Sequence, residues 1–187
     1  MSIRCTDKNG LNDETARKGF MLLEKYAESG VIPERELDHE LILFFDSEKL
    51  ALPVSARRDS LSWSMREISL QDLEIPYIIR ELLKNNCDWK KAIREYFRRI
   101  GEIRPEDFVE IVEELIKRKK EFLISGTEIV DICKKYNRDG GVVIAELKGA
   151  GVISPYSGCG RVVSKLERIY GSPLYEINRF LIKLVEG

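Results

Sequence analysis

The chain of 187 residues holds a single histidine, His39, a single glutamine, Gln71, and four cysteines that never fall at CxxC spacing. Zinc sites draw on clustered Cys and His, so Cys5, Cys87, Cys133 and Cys159 with one His exclude the usual ligand sets. No metal and no other cofactor is expected. The cysteines read as buried or reduced thiols, with a disulfide the less favoured alternative. Long apolar runs are also missing: Leu41–Phe45 and its neighbours are broken by charge, well short of the ~20 residues of a membrane span. Met1–Asp7 lacks the apolar core of a signal peptide. A cytoplasmic protein with no membrane partner is the expectation.

Charge of one sign is lacking too. Charged residues make up 34% of the chain yet cancel to a net −1. With so little Gln and His against abundant Glu, Lys, Arg and Ile, that balance suits a thermophile, where ion pairs cost less to desolvate and amides degrade. The distribution is uneven. Residues 1–60 carry nine basic and twelve acidic side chains, whereas residues 126–187 carry nine basic and seven acidic. An anionic partner therefore belongs at the back of the chain.

No catalytic constellation assembles. His39 stands between Asp38 and Glu40 with no fixed partner. The acidic set Glu106, Asp107, Glu110, Glu113 and Glu114 is spaced around a helix as a solvated face. Cys159, in Ser157-Gly158-Cys159-Gly160, has no imidazole nearby in sequence to activate it, and Gly140-Gly141 lacks the spacing and lysine of a phosphate loop. The chain reads as no enzyme.

Apolar spacing predicts a first helix over about Asp13–Ser29, stopped by Gly30. Leu41–Phe45 and Lys49–Leu52 around Asp46-Ser47-Glu48 read as a β-hairpin, with a third strand over Leu61–Met65. Ser69 and Asp72 read as a capping box, and Pro76 as the start or bend of the next helix. Asp88 caps a helix whose stripe is Trp89, Ala92, Ile93, Tyr96, Phe97 and Ile100, and Gly101 ends it. Pro105 opens another, with Phe108, Ile111, Val112, Leu115 and Ile116 in period. The expected fold is α+β, mainly helical with small antiparallel β elements. It divides into a helix-and-hairpin region over 1–68, a helical middle over 69–104 and a third domain over 105–187. The one internal echo, Ser29–Pro33 against Ala150–Pro155, is short enough to come from shared capping chemistry.

The third domain carries the most information. Ser125-Gly126-Thr127-Glu128 is a capping box opening a helix with Ile129, Ile132, Cys133 and Tyr136 inward. Asn137 can end it in the left-handed conformation, and Gly140–Lys148 begins another across a tight turn, as in a helix-turn-helix. Val152–Pro155 and Leu174–Ile177 read as strands, followed by a helix with Phe180, Leu181 and Leu184. Three helices, a strand, a wing, a strand and a helix is the winged-helix order. Ile144-Ala145-Glu146-Leu147-Lys148-Gly149-Ala150-Gly151-Val152-Ile153 resembles the recognition helix and following strand of that superfamily. The segment from Tyr156 to Pro173 is longer than a usual wing, and its Val162, Val163, Leu166 and Ile169 look helical.

The resemblance implies duplex DNA as partner, with the second helix in the major groove. Its outward positions read as Gly141, Val142, Ala145, Glu146, Lys148 and Gly149, a small, apolar and acidic face that is poor at reading bases. Binding would rest on phosphate contacts from Lys134, Lys135, Arg138, Lys148, Arg161, Lys165 and Arg168. A transcriptional regulator follows as the first expectation, its front part sensing, recruiting or forming a homodimer. The alternative is an assembly factor whose winged helix docks another protein through Gly141, Val142 and Ala145.

Overall fold

The computed structural model describes residues 14–54, 63, 66–156 and 171–187. The architecture is α+β and mainly helical, with eight α-helices among the described residues and two three-stranded antiparallel sheets. In chain order the elements are α1 (Glu14–Tyr26), β1 (Val31–Ile32), a 3₁₀ turn (Glu34–Glu36), α2 (His39–Glu48), β2 (Leu52–Pro53), β3 (Leu73–Glu74), α3 (Tyr77–Lys84), α4 (Trp89–Arg99), α5 (Pro105–Arg118), β4 (Leu123–Ser125), α6 (Gly126–Lys135), α7 (Gly140–Ala150), β5 (Ile153–Pro155), β6 (Leu174–Ile177) and α8 (Arg179–Glu186).

The hairpin expected at Leu41–Phe45 is instead the helix α2. Asp38 accepts a hydrogen bond from Leu41 N, Leu41, Ile42 and Phe45 face the core, and Lys49 closes the helix at φ 57°. A short continuous apolar run fits a buried helix as well as a strand, and the N-cap decides it. Only Leu52, with Pro53, enters the first sheet. The strand expected over Leu61–Met65 lies, Trp63 apart, outside the described residues, as does most of the segment expected as a long wing, residues 157–170. Ser69 and Asp72 open no helix. Asp72 accepts from Glu34 N (2.9 Å) and ties the 3₁₀ turn to the approach of β3. Pro76 caps α3, Asp88 caps α4, and Ser125 and Glu128 form the full capping box of α6.

The two sheets are built alike, which the short sequence echo does not convey. Each has its last strand in the centre, in the orders β1-β3-β2 and β4-β6-β5. The hydrogen bonds around them repeat one for one. Leu50 N bonds Phe45 O and Val152 N bonds Leu147 O; Val54 N bonds Asp72 O and Tyr156 N bonds Leu174 O; Ile75 N bonds Gly30 O and Ile177 N bonds Phe122 O. Pro53 pairs with Leu73 as Pro155 pairs with Tyr175, across equal chain intervals. Glu74-Ile75 and Glu176-Ile177 are then equivalent, and each leads into a terminal helix. The chain is a tandem of one unit: α1 to α3, then, after α4, α5 to α8. In the first copy a 3₁₀ turn stands where the second has α6. The sequence echo is not this repeat: it aligns the entry to β1 with the entry to β5, which are different positions in the unit.

The copies pack reciprocally, the last helix of each on the third helix of the other: α8 on α2, and α3 on α7. At the first contact Asn178 Nδ2 donates to Lys49 O (2.9 Å) and Lys183 pairs with Glu48 (2.6 Å). At the second, Gly151 at φ 76° brings the chain so close to Pro76 that an added Cβ would lie 2.7 Å from the Pro76 Cβ. One hydrophobic core runs through both copies, from Phe20 to Ile182.

Candidate functional site

α6 and α7 meet where Gly140 lets the helices touch; a Cβ there would sit 2.7 Å from Val130 Cγ2. Arg138 and Asp139 follow Asn137, which ends α6 at φ 55°, and Asp139 caps α7 through Val142 N. Val143, Leu147 and Ala150 face the core, so Gly141, Val142, Ala145 and Gly149 are left on the outside. Two expected outward residues depart from that face. Lys148 lines a cleft against the first unit, and Glu146 is part-buried with Oε2 sealed from solvent and, among the described residues, without a hydrogen-bond donor. Burial, then the charge of Glu102, pushes the Glu146 carboxyl above the ordinary carboxylate range, with Arg138 opposing.

That shift has a sign. A carboxyl whose pKa is raised in the folded state costs stability once pH exceeds its unfolded value, fully so above the folded value. Glu146→Gln is therefore expected to stabilise the protein modestly at pH 7, because a neutral amide replaces a partly desolvated charge. The gain should shrink as the pH falls and the wild-type carboxyl protonates. Urea denaturation at pH 7 and near pH 4 checks this, and an equal or larger gain at the lower pH would contradict it.

The cations expected to meet phosphate are largely engaged. Lys134 pairs with Asp131 (2.9 Å) and Lys135 with Glu114 (2.8 Å), both at exposed positions. Arg138 is built in: its guanidinium pairs with Glu102 and Asp107 (each 2.8 Å), donates to Arg104 O and covers the Phe108 ring at 4.6 Å. An Arg138 variant would report on folding rather than on a ligand. Arg161, Lys165 and Arg168 lie outside the described residues. Most of the acidic set of α5 is likewise paired: Glu106 with Arg94 and Arg98, Glu113 with Lys90 and Lys117, Glu114 with Arg118 as well as Lys135. His39 is exposed at the start of α2, and among the described residues no group of three His, Cys, Asp or Glu side chains is placed to share an ion.

What the sequence missed lies beside the start of α7. Ile103, in the connection between α4 and α5, is 93% exposed, and Val142 is 55% exposed. They line one shallow groove with Gly101, Arg104 and Asn137. Ile100, expected on the inward stripe of α4, is instead the C-cap and 49% exposed; Trp89 is only half-buried, while Ala92, Ile93, Tyr96 and Phe97 are buried. An aliphatic residue between Gly101 and Pro105 was the available signal, since a short helix connection rarely needs one.

The cysteines correct one expectation. Cys133 is a free thiol, buried and pushed up to about 11 by that burial, but Cys87 is disulfide-bonded. Cys87 sits in the left-handed conformation at φ 58° just past the end of α3. Wide sequence spacing says nothing about spatial separation, which is what a bridge requires.

A protein-family model matches residues 5–187. The chain belongs to that family. The match spans both copies of the unit and α4, so the family is defined over the whole tandem rather than over its second half. Its description assigns no activity. No curated protein and no solved structure matches the chain. Among the described residues no helix is long and apolar enough to cross a membrane.

Proposed function

We propose that this is a tandem winged-helix protein of the cytoplasm that docks another protein against the start of α7. The observation that carries the reading is the groove between Ile103 and Val142, flanked by the small exposed residues Gly141 and Ala145. Large aliphatic side chains held out in water beside a flat helix face are what a partner's apolar surface covers. The same helix would have to read bases if the partner were DNA, yet it presents no Arg, Asn or Gln outward, and the cations beside it serve carboxylates of the chain itself.

Duplex DNA is the second reading. Exposed ion pairs such as Lys134–Asp131 and Lys135–Glu114 are worth little and can be exchanged for phosphate, and residues 126–187 carry net positive charge. A photo-crosslinking amino acid in place of Val142, in cells, separates the two. A discrete protein adduct that disappears when Ile103→Asp is added supports docking. Loss of all adducts to protein, together with duplex binding in vitro that falls with salt at a slope of about −0.9 per phosphate contacted, would replace it with the DNA reading.

A further inference from the structure

The reciprocal packing creates two equivalent corners, each where the entry to a unit's first strand and the start of its last helix face the other unit's third helix. They are filled differently. In one, Phe122 follows α5, Arg179 lies over its ring at 4.2 Å and pairs with Glu176, and Lys49, buried, pairs with Asp46. In the other, Gly30 stands at the position of Phe122 and Gly151 at that of Lys49. A cleft of about 200 Å³ is left open there, lined by Gly30, Tyr77, Arg80, Lys148, Gly149 and Gly151 among others.

The open corner also carries charge that its twin neutralises. The Lys148 ammonium has no hydrogen bond or ion pair among the described residues. Arg80 spends Nε and Nη2 on the carbonyls of Ala27 and Glu28 (2.6 Å each) at the end of α1, which holds the guanidinium in place and leaves Nη1, the atom nearest Gly30, without a partner among the described residues. The Arg66–Glu74 pair on the same wall contributes no net charge. Two unmatched cations in a small polar cleft suit a dianion, and a phosphate monoester carries about −1.5 to −2 at neutral pH.

We infer that this cleft binds the phosphate group of a small molecule, with Lys148 supplying a mobile ammonium and Arg80 a fixed one-sided guanidinium. The site is independent of the docking face, since Lys148 and Val142 lie on different sides of α7. The glycines are part of it: a side chain at Gly30 would collide with Arg80 Nη1 at 2.7 Å.

Isothermal titration of the full chain in chloride buffer tests this with inorganic phosphate, glycerol 3-phosphate and succinate. Saturable binding of phosphate or of the monoester is expected, weakened about tenfold or more by Lys148→Ala, as for a lost charge-assisted hydrogen bond, and largely kept by Lys148→Arg. Tighter binding of the monoester identifies an ester as the ligand, and tighter binding of inorganic phosphate identifies the free ion. Among the described residues the Lys148 ammonium holds nothing else in place, so the unliganded melting temperature of Lys148→Arg should match wild type and that of Lys148→Ala should stay close to it. No saturable heat at millimolar phosphate or monoester, equal affinity in Lys148→Ala, or binding of succinate alone would overturn the inference.

Discussion

Phe97→Ala is expected to cost about 3–5 kcal/mol in chemical denaturation, the range for truncating a buried phenylalanine. Phe97 is fully buried on α4 and stacks on Phe108 of α5, centroids 3.7 Å apart and rings 13° from parallel. Its removal does more than leave a void. Phe108 is held between Phe97 on one side and the Arg138 guanidinium on the other, and Arg138 in turn fixes Glu102, Asp107 and the Arg104 carbonyl. The α4–α5 connection that carries Ile103 hangs on this stack. Against a typical total of about 5–15 kcal/mol, the variant should be close to unfolding at moderate temperature. Phe97→Leu keeps most of the volume and should lose much less. A cost below ~1 kcal/mol for the alanine variant would mean that α4 and α5 repack without the stack.

Asn178→Ala is expected to cost about 2–4 kcal/mol, because one buried side chain does two jobs. Its Oδ1 accepts from Leu181 N as the N-cap of α8, worth ~1 kcal/mol. Its Nδ2 donates to the Lys49 carbonyl at the end of α2, in the other copy of the unit, and losing that donor strands a buried acceptor at about 1–3 kcal/mol. Asn178→Asp retains the cap but not the donor, so the two contributions separate experimentally. Should the aspartate variant match wild type in urea, the contact between copies contributes nothing measurable.

Much of the helical frame is legible in the sequence because its signals are local. Asp88 and the Ser125–Glu128 box mark helix starts through bonds made within four residues, Pro105 marks one through its fixed φ, and Gly30, Gly101 and Asn137 mark stops through their own backbone angles. The duplication was not legible. It resides in which carbonyl each strand bonds, and different side chains satisfy the same pattern: Lys49 and Gly151 both take the left-handed cap, Pro76 and Asn178 both start the last helix. The groove was half legible. Val142 falls outward by helical spacing alone, but Ile103 becomes its neighbour only because α5 turns back along α4. The fate of the cations was hidden for the same reason, since Arg138 meets Glu102 and Asp107 across the α5–α6 packing.

The exchange of last helices between the copies has the form of an isologous contact, in which the same patch serves both sides. Such a contact has a closed point group and saturates when both sides are met, and here a single chain meets both. Among the described residues these faces of α2, α3, α7 and α8 are already engaged with one another, so a further copy joining through them would have to displace a contact within the chain. A homodimer through any other face would leave these contacts intact. Cut between α4 and α5, each half would regain an unmatched valence, and the natural mate for either would be the piece from which it was severed.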